Sequence, residues 1–183
     1  MFIGGEEVLT SEVRRILDGI VRSATVDLFH TSGIATAPVE RPNSTPLLQL
    51  LEGVHVGLIN VVGDGFDASL ILSVPESVFQ MVSVAGVRPF EISDWILEQT
   101  NQLFGRIKSR LARFQVVLKP SLPSTPSDES LRRLTHRNSS VLLYEFRTLR
   151  GLVFVAICGR VKLEDLDYSN KISNAREGDI ILF

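Results

Sequence analysis

One cysteine, one tryptophan and two tyrosines are all that 183 residues contain of those types. The lone Cys158 excludes an internal disulfide and a Cys-x-x-Cys metal or redox site. Excess charge of one sign is also missing: 19 Lys and Arg face 21 Asp and Glu, a net charge of −2. Nothing in bulk therefore draws the chain to nucleic acid or to an acidic membrane. The longest apolar runs, VLLYEF and GLVFVAICG, are too short to span a bilayer. The opening MFIGGEEVLTSEVRR meets acidic residues early and lacks the basic-then-apolar pattern of an export signal. These absences point to a cytoplasmic protein. No glycine-rich phosphate loop and no nucleophile elbow occurs. His30, His55 and His136 stand apart without metal-ligand spacing, and are expected at a helix end, a strand start and a loop.

Hydrophobic residues make up 44% and charged residues 22% of the chain, the balance of an ordinary compact α/β protein. The length suits one domain with a real core.

The most regular stretch is Ile92 to Phe114. At roughly 100° per residue, Ile92, Ile96, Leu103, Ile107 and Phe114 share one face, flanked by Leu97, Phe104 and Leu111. The opposite arc carries Asp94, Glu98, Asn101, Gly105 and Lys108. Glu98 and Asn101 lie a helical turn apart and roughly 60° around the axis. A glycine inside an exposed helix costs roughly 1 kcal/mol against alanine, so some surface gains from the bare backbone at Gly105. That surface belongs either to a partner or to another piece of this fold. Asp94 complements the helix dipole. Arg106, Lys108, Arg110 and Arg113 do so at the other end, or steer an acidic partner.

In chain order, apolar residues at helical spacing predict a first helix from about Glu6 to Phe29, stopped by Thr31, Ser32 and Gly33. Ile34 to Glu40 reads as extended, and RPNSTP as a loop. Val54 to Val62 and Phe66 to Val74 read as strands joined by Gly63-Asp64-Gly65, strong hairpin chemistry. Pro75 opens a short helix to about Ala85, and the long helix follows. Gln115 to Lys119 reads as a strand, and PSLPSTPSDES as a loop whose prolines forbid a central strand. A brief helical turn is expected at Leu131 to Leu134. Two further strands, Ser139 to Arg147 and Leu152 to Cys158, offer a sheet edge that must be covered or paired. The tail from Val161 is polar apart from a final strand-like Asp179 to Phe183. No period of 20 to 50 residues stands out. The expected fold class is α+β, a mostly antiparallel sheet with long helices over one side.

The order of these features resembles a known family. A hairpin with a GDG turn is followed by a VPES helix start and a long helix with E-x-x-N-x-x-x-G-x-x-K. A proline-bearing S-L-P loop and a terminal hairpin complete the order. Together these resemble the CheX branch of the CheC/CheX/FliY phosphatases of bacterial chemotaxis. The likeness is strongest over 55–160 within a single domain of 1–183, and the tail 161–183 lies outside it.

The resemblance implies hydrolysis of phospho-aspartate on a CheY-type receiver domain, with Glu98 and Asn101 catalytic and Asp94, Gly105 and Lys108 on the docking face. Phosphoryl transfer to water depends mainly on placing the nucleophile in line. A carboxamide both donates and accepts hydrogen bonds, so Asn101 suits holding that water. Glu98 suits pairing with a receiver lysine. The receiver is expected to bring the acyl phosphate and Mg2+, leaving this chain with no cofactor of its own. The resemblance also implies a homodimer.

Two flanking features depart from the family pattern: Gln99, Thr100 and Gln102 are polar, and the S-L-P segment lacks the usual following glycine. Glu40-Arg41-Pro42-Asn43 repeats the motif by letters only, since its proline puts it in a loop. One active face per chain is therefore expected. The competing reading is a non-catalytic module that binds a receiver, or a flagellar or signalling component, through the same helix.

Overall fold

A computed structural model describes residues 11–40, 47–51, 54–63, 65–83, 92–137 and 140–162. The first helix, α1, runs over Ser11–Thr31 and leads to the short strand β1, Ala37–Val39. A single helical turn, α2 (Leu47–Leu50), precedes the hairpin of β2 (His55–Gly63) and β3 (Phe66–Val74). Helix α3 (Glu76–Ser83) and the long α4 (Ile92–Ala112) follow. Then come β4 (Leu118–Pro120), α5 (Asp128–Arg137), and the hairpin of β5 (Val141–Thr148) and β6 (Gly151–Val161).

The six strands form one antiparallel sheet in the order β1-β5-β6-β3-β2-β4. Side chains alternate across a sheet. One face, with Ile59, Leu72, Phe146 and Val155 buried, meets Leu17, Val21 and Leu28 of α1 and Ile96, Leu103 and Leu111 of α4. Each such side chain, once fully buried, contributes about 1.5–3 kcal/mol. The other face carries a smaller cluster of Leu58, Ile71, Ala156 and Cys158 under Leu47, Leu51 and Leu131. The α+β architecture with long helices on one side is as expected. The second face has its own cover in α2 and α5.

The element order contains a duplication. Helix, edge strand, short helix and hairpin occur twice, and exchanging β1 with β4, β2 with β5 and β3 with β6 reproduces the strand order in reverse. The two long helices have 21 residues each and end alike. In α1, Gly33 at φ 73° closes the cap, with Gly33 N donating to His30 O at 3.0 Å and Ile34 N to Phe29 O at 2.8 Å. In α4, Gln115 at φ 60° takes that place, its N donating to Ala112 O at 3.0 Å while Val116 N donates to Leu111 O at 3.3 Å. Both are left-handed caps that satisfy orphan carbonyls.

Several expectations need correction. The C-terminal pair does not supply the sheet's edge, because β6 lies between β3 and β5, and β1 pairs with β5 over Glu145 to Arg147. Among the described residues the edges are β1 and β4, three residues each. The helical turn at Leu131 to Leu134 extends over Asp128–Arg137. Ser127 starts it as an N-cap, its Oγ accepting from Ser130 N at 3.3 Å. His136 therefore sits in a helix and not in a loop. The strand expected at Gln115 to Lys119 falls on Leu118–Pro120. Pro120 fits there because an edge strand can spare an N–H. The expected start of the first helix at Glu6, the RPNSTP loop and the tail beyond Lys162 lie outside the described residues, as do Asp64 of the GDG turn, Ala85 and Ser139.

Candidate functional site

Helix α4 is seated by its apolar arc. Ile96, Leu103, Phe104, Ile107 and Leu111 are buried, while Ile92, Leu97 and Phe114 are half-buried. Two polar residues join them: Gln99 and Thr100 are buried as well. Thr100 turns its hydroxyl back to Ile96 O at 2.6 Å, which satisfies it inside the core. It fits because β2 offers Gly57 opposite. A Cβ on Gly57 would sit 2.0 Å from Thr100 Oγ1 and 3.0 Å from Ile96 O. Ser32, just past α1, donates to Gln99 Oε1 at 3.4 Å. Two of the three unusual flanks of the motif, Gln99 and Thr100, are thus part of the helix's seat, while Gln102 stays on the exposed face. A glycine inside an alternating strand is the sequence signal for this close approach.

Side-to-side ties fix the helix further. At its start, Trp95 meets Phe79 of α3 edge to face, ring centroids 5.4 Å apart. Along its second half, Arg110 is ion-paired with Asp27 of α1, and Arg106 Nη2 donates to Thr31 Oγ1 at 3.2 Å. Two of the four basic side chains therefore bind α1. Lys108 and Arg113 are exposed.

The opposite arc faces outward as expected. Asp94, Glu98, Asn101, Gly105 and Lys108 are all exposed. Glu98 and Asn101 stand on adjoining turns, neither covered by another described residue. Gln102 Nε2 donates to Glu98 Oε1 at 2.8 Å. A Cβ placed on Gly105 would meet nothing within 4 Å. No described residue packs against Gly105 closely enough to require a glycine. Beside it lies a shallow open depression lined by Gln102, Gly105, Arg106 and Ser109.

Elsewhere the chemistry is sparser. A cleft of about 310 Å3 on the far face of the sheet is lined by Asn60, Asp67, Ser69, Arg133 and Cys158, among others. Ser69 and Asn60 bond to each other there at 2.7 Å. Cys158 is fully buried, and burial pushes its thiol up to about 11. It is the small buried hydrophobe its strand suggested. His30 is in the last turn of α1 and His55 starts β2, both as expected. Among the described residues, no three His, Cys, Asp or Glu side chains gather where a metal ion could sit. No helix among them is long and apolar enough to cross a membrane.

A duplicated helix–strand–helix–hairpin unit folded into one sheet defines the class: this is the CheC/CheX-like fold. Solved structures bear this out. A CheC-like superfamily protein from Shewanella sp. PV-4 superposes with a TM-score of 0.59 at 18% identity, over 78% of this chain and 96% of its own. The chemotaxis protein CheX from Vibrio vulnificus gives 0.59 at 21% identity, over 78% and 95%. CheX from Borrelia burgdorferi, crystallised as a CheX-CheY-BeF3-Mg2+ complex, gives 0.55 at 16% identity, over 79% and 96%. No protein-family model and no curated protein matches the sequence.

Proposed function

We propose that this chain hydrolyses the phospho-aspartate of a CheY-type receiver domain, with the outer face of α4 laid against the phosphorylation site. Asn101 holds the attacking water through its carboxamide. The water oxygen bonds to phosphorus as the bond to the aspartate oxygen breaks, and inorganic phosphate and a free carboxylate leave. Glu98 pairs with the receiver's lysine and sets the docking register. Mg2+ and the acyl phosphate come with the receiver; a CheX of this fold was crystallised together with CheY, BeF3 and Mg2+. Asp94 and Lys108 flank the contact, and Gly105 lets the receiver backbone approach.

The observation that carries this reading is the exposed Glu98/Asn101 pair on a face kept clear at Gly105. A water-positioning amide needs no tuned pKa, only a fixed place, and a firmly seated helix supplies one. The reading includes a second copy of the chain as a partner, on the resemblance alone. A monomer in sedimentation equilibrium would remove that part.

The test is the decay of phosphorylated receivers from the same genome, each with and without the protein. At least one should lose phosphate faster. Asn101→Ala should lower that acceleration about 100-fold, the scale of a misplaced reacting group, and should still bind. If no receiver responds to the wild-type protein, the enzymatic reading is lost. Binding without acceleration would then make the chain a docking module.

A further inference from the structure

Glu98 is followed on its own helix face by two carboxamides, Asn101 at i+3 and Gln102 at i+4. They are used differently. Gln102 Nε2 donates to Glu98 Oε1 at 2.8 Å, while Asn101 makes no hydrogen bond through its side chain among the described residues. From this division we infer that Gln102 is a positioning residue: it holds the Glu98 carboxylate in one outward rotamer, so that one oxygen is fixed and the other is presented to a cation on the partner.

The physical reason is side-chain entropy. A glutamate on an open helix face samples many rotamers and must give them up when it forms an ion pair. A charge-assisted hydrogen bond from the next turn settles part of that ordering before the partner arrives. The geometry suits this role. Residues four apart sit one above the other on a helix, and a side chain at i+4 leans back towards i. The backbone that carries Gln102 is seated on the core by the buried Gln99, Thr100, Leu103 and Phe104 around it. Because its amide N–H is directed to Glu98, the water in the proposed reaction is left to Asn101. The same Gln102 also forms one wall of the depression beside Gly105. On the proposed reading, the ligand of the positioned carboxylate is the receiver's lysine ammonium, arriving along the face on which Asn101 stands.

This inference rests on the receiver-phosphatase reading, and a paired experiment separates the two. Gln102→Met keeps the length and helix propensity of the side chain and removes the donor. With a responding phosphorylated receiver, it should raise KM about twofold and leave kcat unchanged, the scale of an i,i+4 bond lost from uniform binding. In a Glu98→Ala background the same substitution should change neither constant, because the group it positions is gone. An equal effect in both backgrounds, a fall in kcat at constant KM, or no effect in the wild-type background each overturns the inference. If Asn101→Ala leaves decay unaltered, it is the phosphatase reading that fails first. A Gln102→Met result that fails while Asn101→Ala abolishes acceleration sinks the positioning role alone.

Discussion

Helices α1 and α4 have the same length and the same left-handed cap, and they lie side by side on the same face of one sheet. Aligned on that cap, Glu98, Asn101 and Gly105 fall opposite Ile16, Gly19 and Ser23 of α1. There the resemblance of the two halves ends. Ile16 packs partly on the core, Gly19 is bare, and the hydroxyl of Ser23 turns back to Ile20 O at 3.1 Å. The nearby acid of α1, Asp18, accepts a hydrogen bond at 2.7 Å from Tyr144 of β5, and Arg22 lies 6.0 Å from the same ring. Helix α1 thus uses its polar groups to hold itself to the sheet. Helix α4 is held to the sheet by the close seat of Thr100 on Gly57 and to α1 by Arg106 and Arg110, and leaves an acid and an amide exposed. The duplicated scaffold presents two equivalent helices. Which one keeps polar groups facing outward is decided by where each half finds its anchorage.

That contrast can be broken most severely at the seat. Gly57→Ala should cost about 2–3 kcal/mol in urea unfolding, since its new Cβ meets a buried side chain and a backbone carbonyl that cannot both move. A neutral outcome would mean that α4 is not held by this contact. Its opposite number, Tyr144→Phe, removes the polar anchor of α1 and should cost about 1–2 kcal/mol, with receiver response at saturating receiver left intact.

The two exposed helix glycines sharpen the comparison without harming the fold. A Cβ at Gly19 or at Gly105 meets nothing within 4 Å. Either alanine should therefore stabilise the protein by about 0.5–1 kcal/mol in thermal or urea unfolding. Only Gly105→Ala should weaken the response of a phosphorylated receiver. Equal behaviour of the two variants in that assay would place docking elsewhere.

The smallest expected effect is an alkaline loss of stability carried by the α1 half's anchor and the far sheet face. Burial, and then the bond to Asp18 and its charge, hold the Tyr144 phenol above the usual tyrosine range; burial alone lifts the Cys158 thiol to about 11. Both groups keep their protons more firmly folded than unfolded. Their stabilisation is complete below an ordinary thiol's range of about 8.5 and is lost as pH rises through the folded values. Unfolding free energy should decline from there to about pH 11, and Cys158 should resist alkylation until the chain unfolds.

Much of this was readable in advance where periodicity was strong. Both hairpins, the outward arc of Asp94, Glu98, Asn101, Gly105 and Lys108, and the stop of α1 at Gly33 follow from spacing and turn chemistry; the cap at Gln115 does not, since the residues there read as helix to Phe114 and as strand beyond it. What escaped had weak local signals. In α5 only Leu131 and Leu134 mark the buried side, so the capping Ser127 was the better clue to its length. The burial of Gln99 and Thr100 contradicts their polarity and follows from a glycine on another strand, a tertiary fact. Strand order is also non-local: nothing in Val141 to Val161 says that β6 will be drawn to the middle of the sheet.

The central partnership of β3 with β6 joins the last strand of one repeat to the last strand of the other. Each half alone would bare the long inner border of its hairpin, with its row of unmatched N–H and C=O groups. A chain severed between Ser83 and Ile92 should therefore yield fragments that are insoluble when made separately and that reconstitute a soluble complex when made together. The duplication thus turns two incomplete pieces into mutual templates.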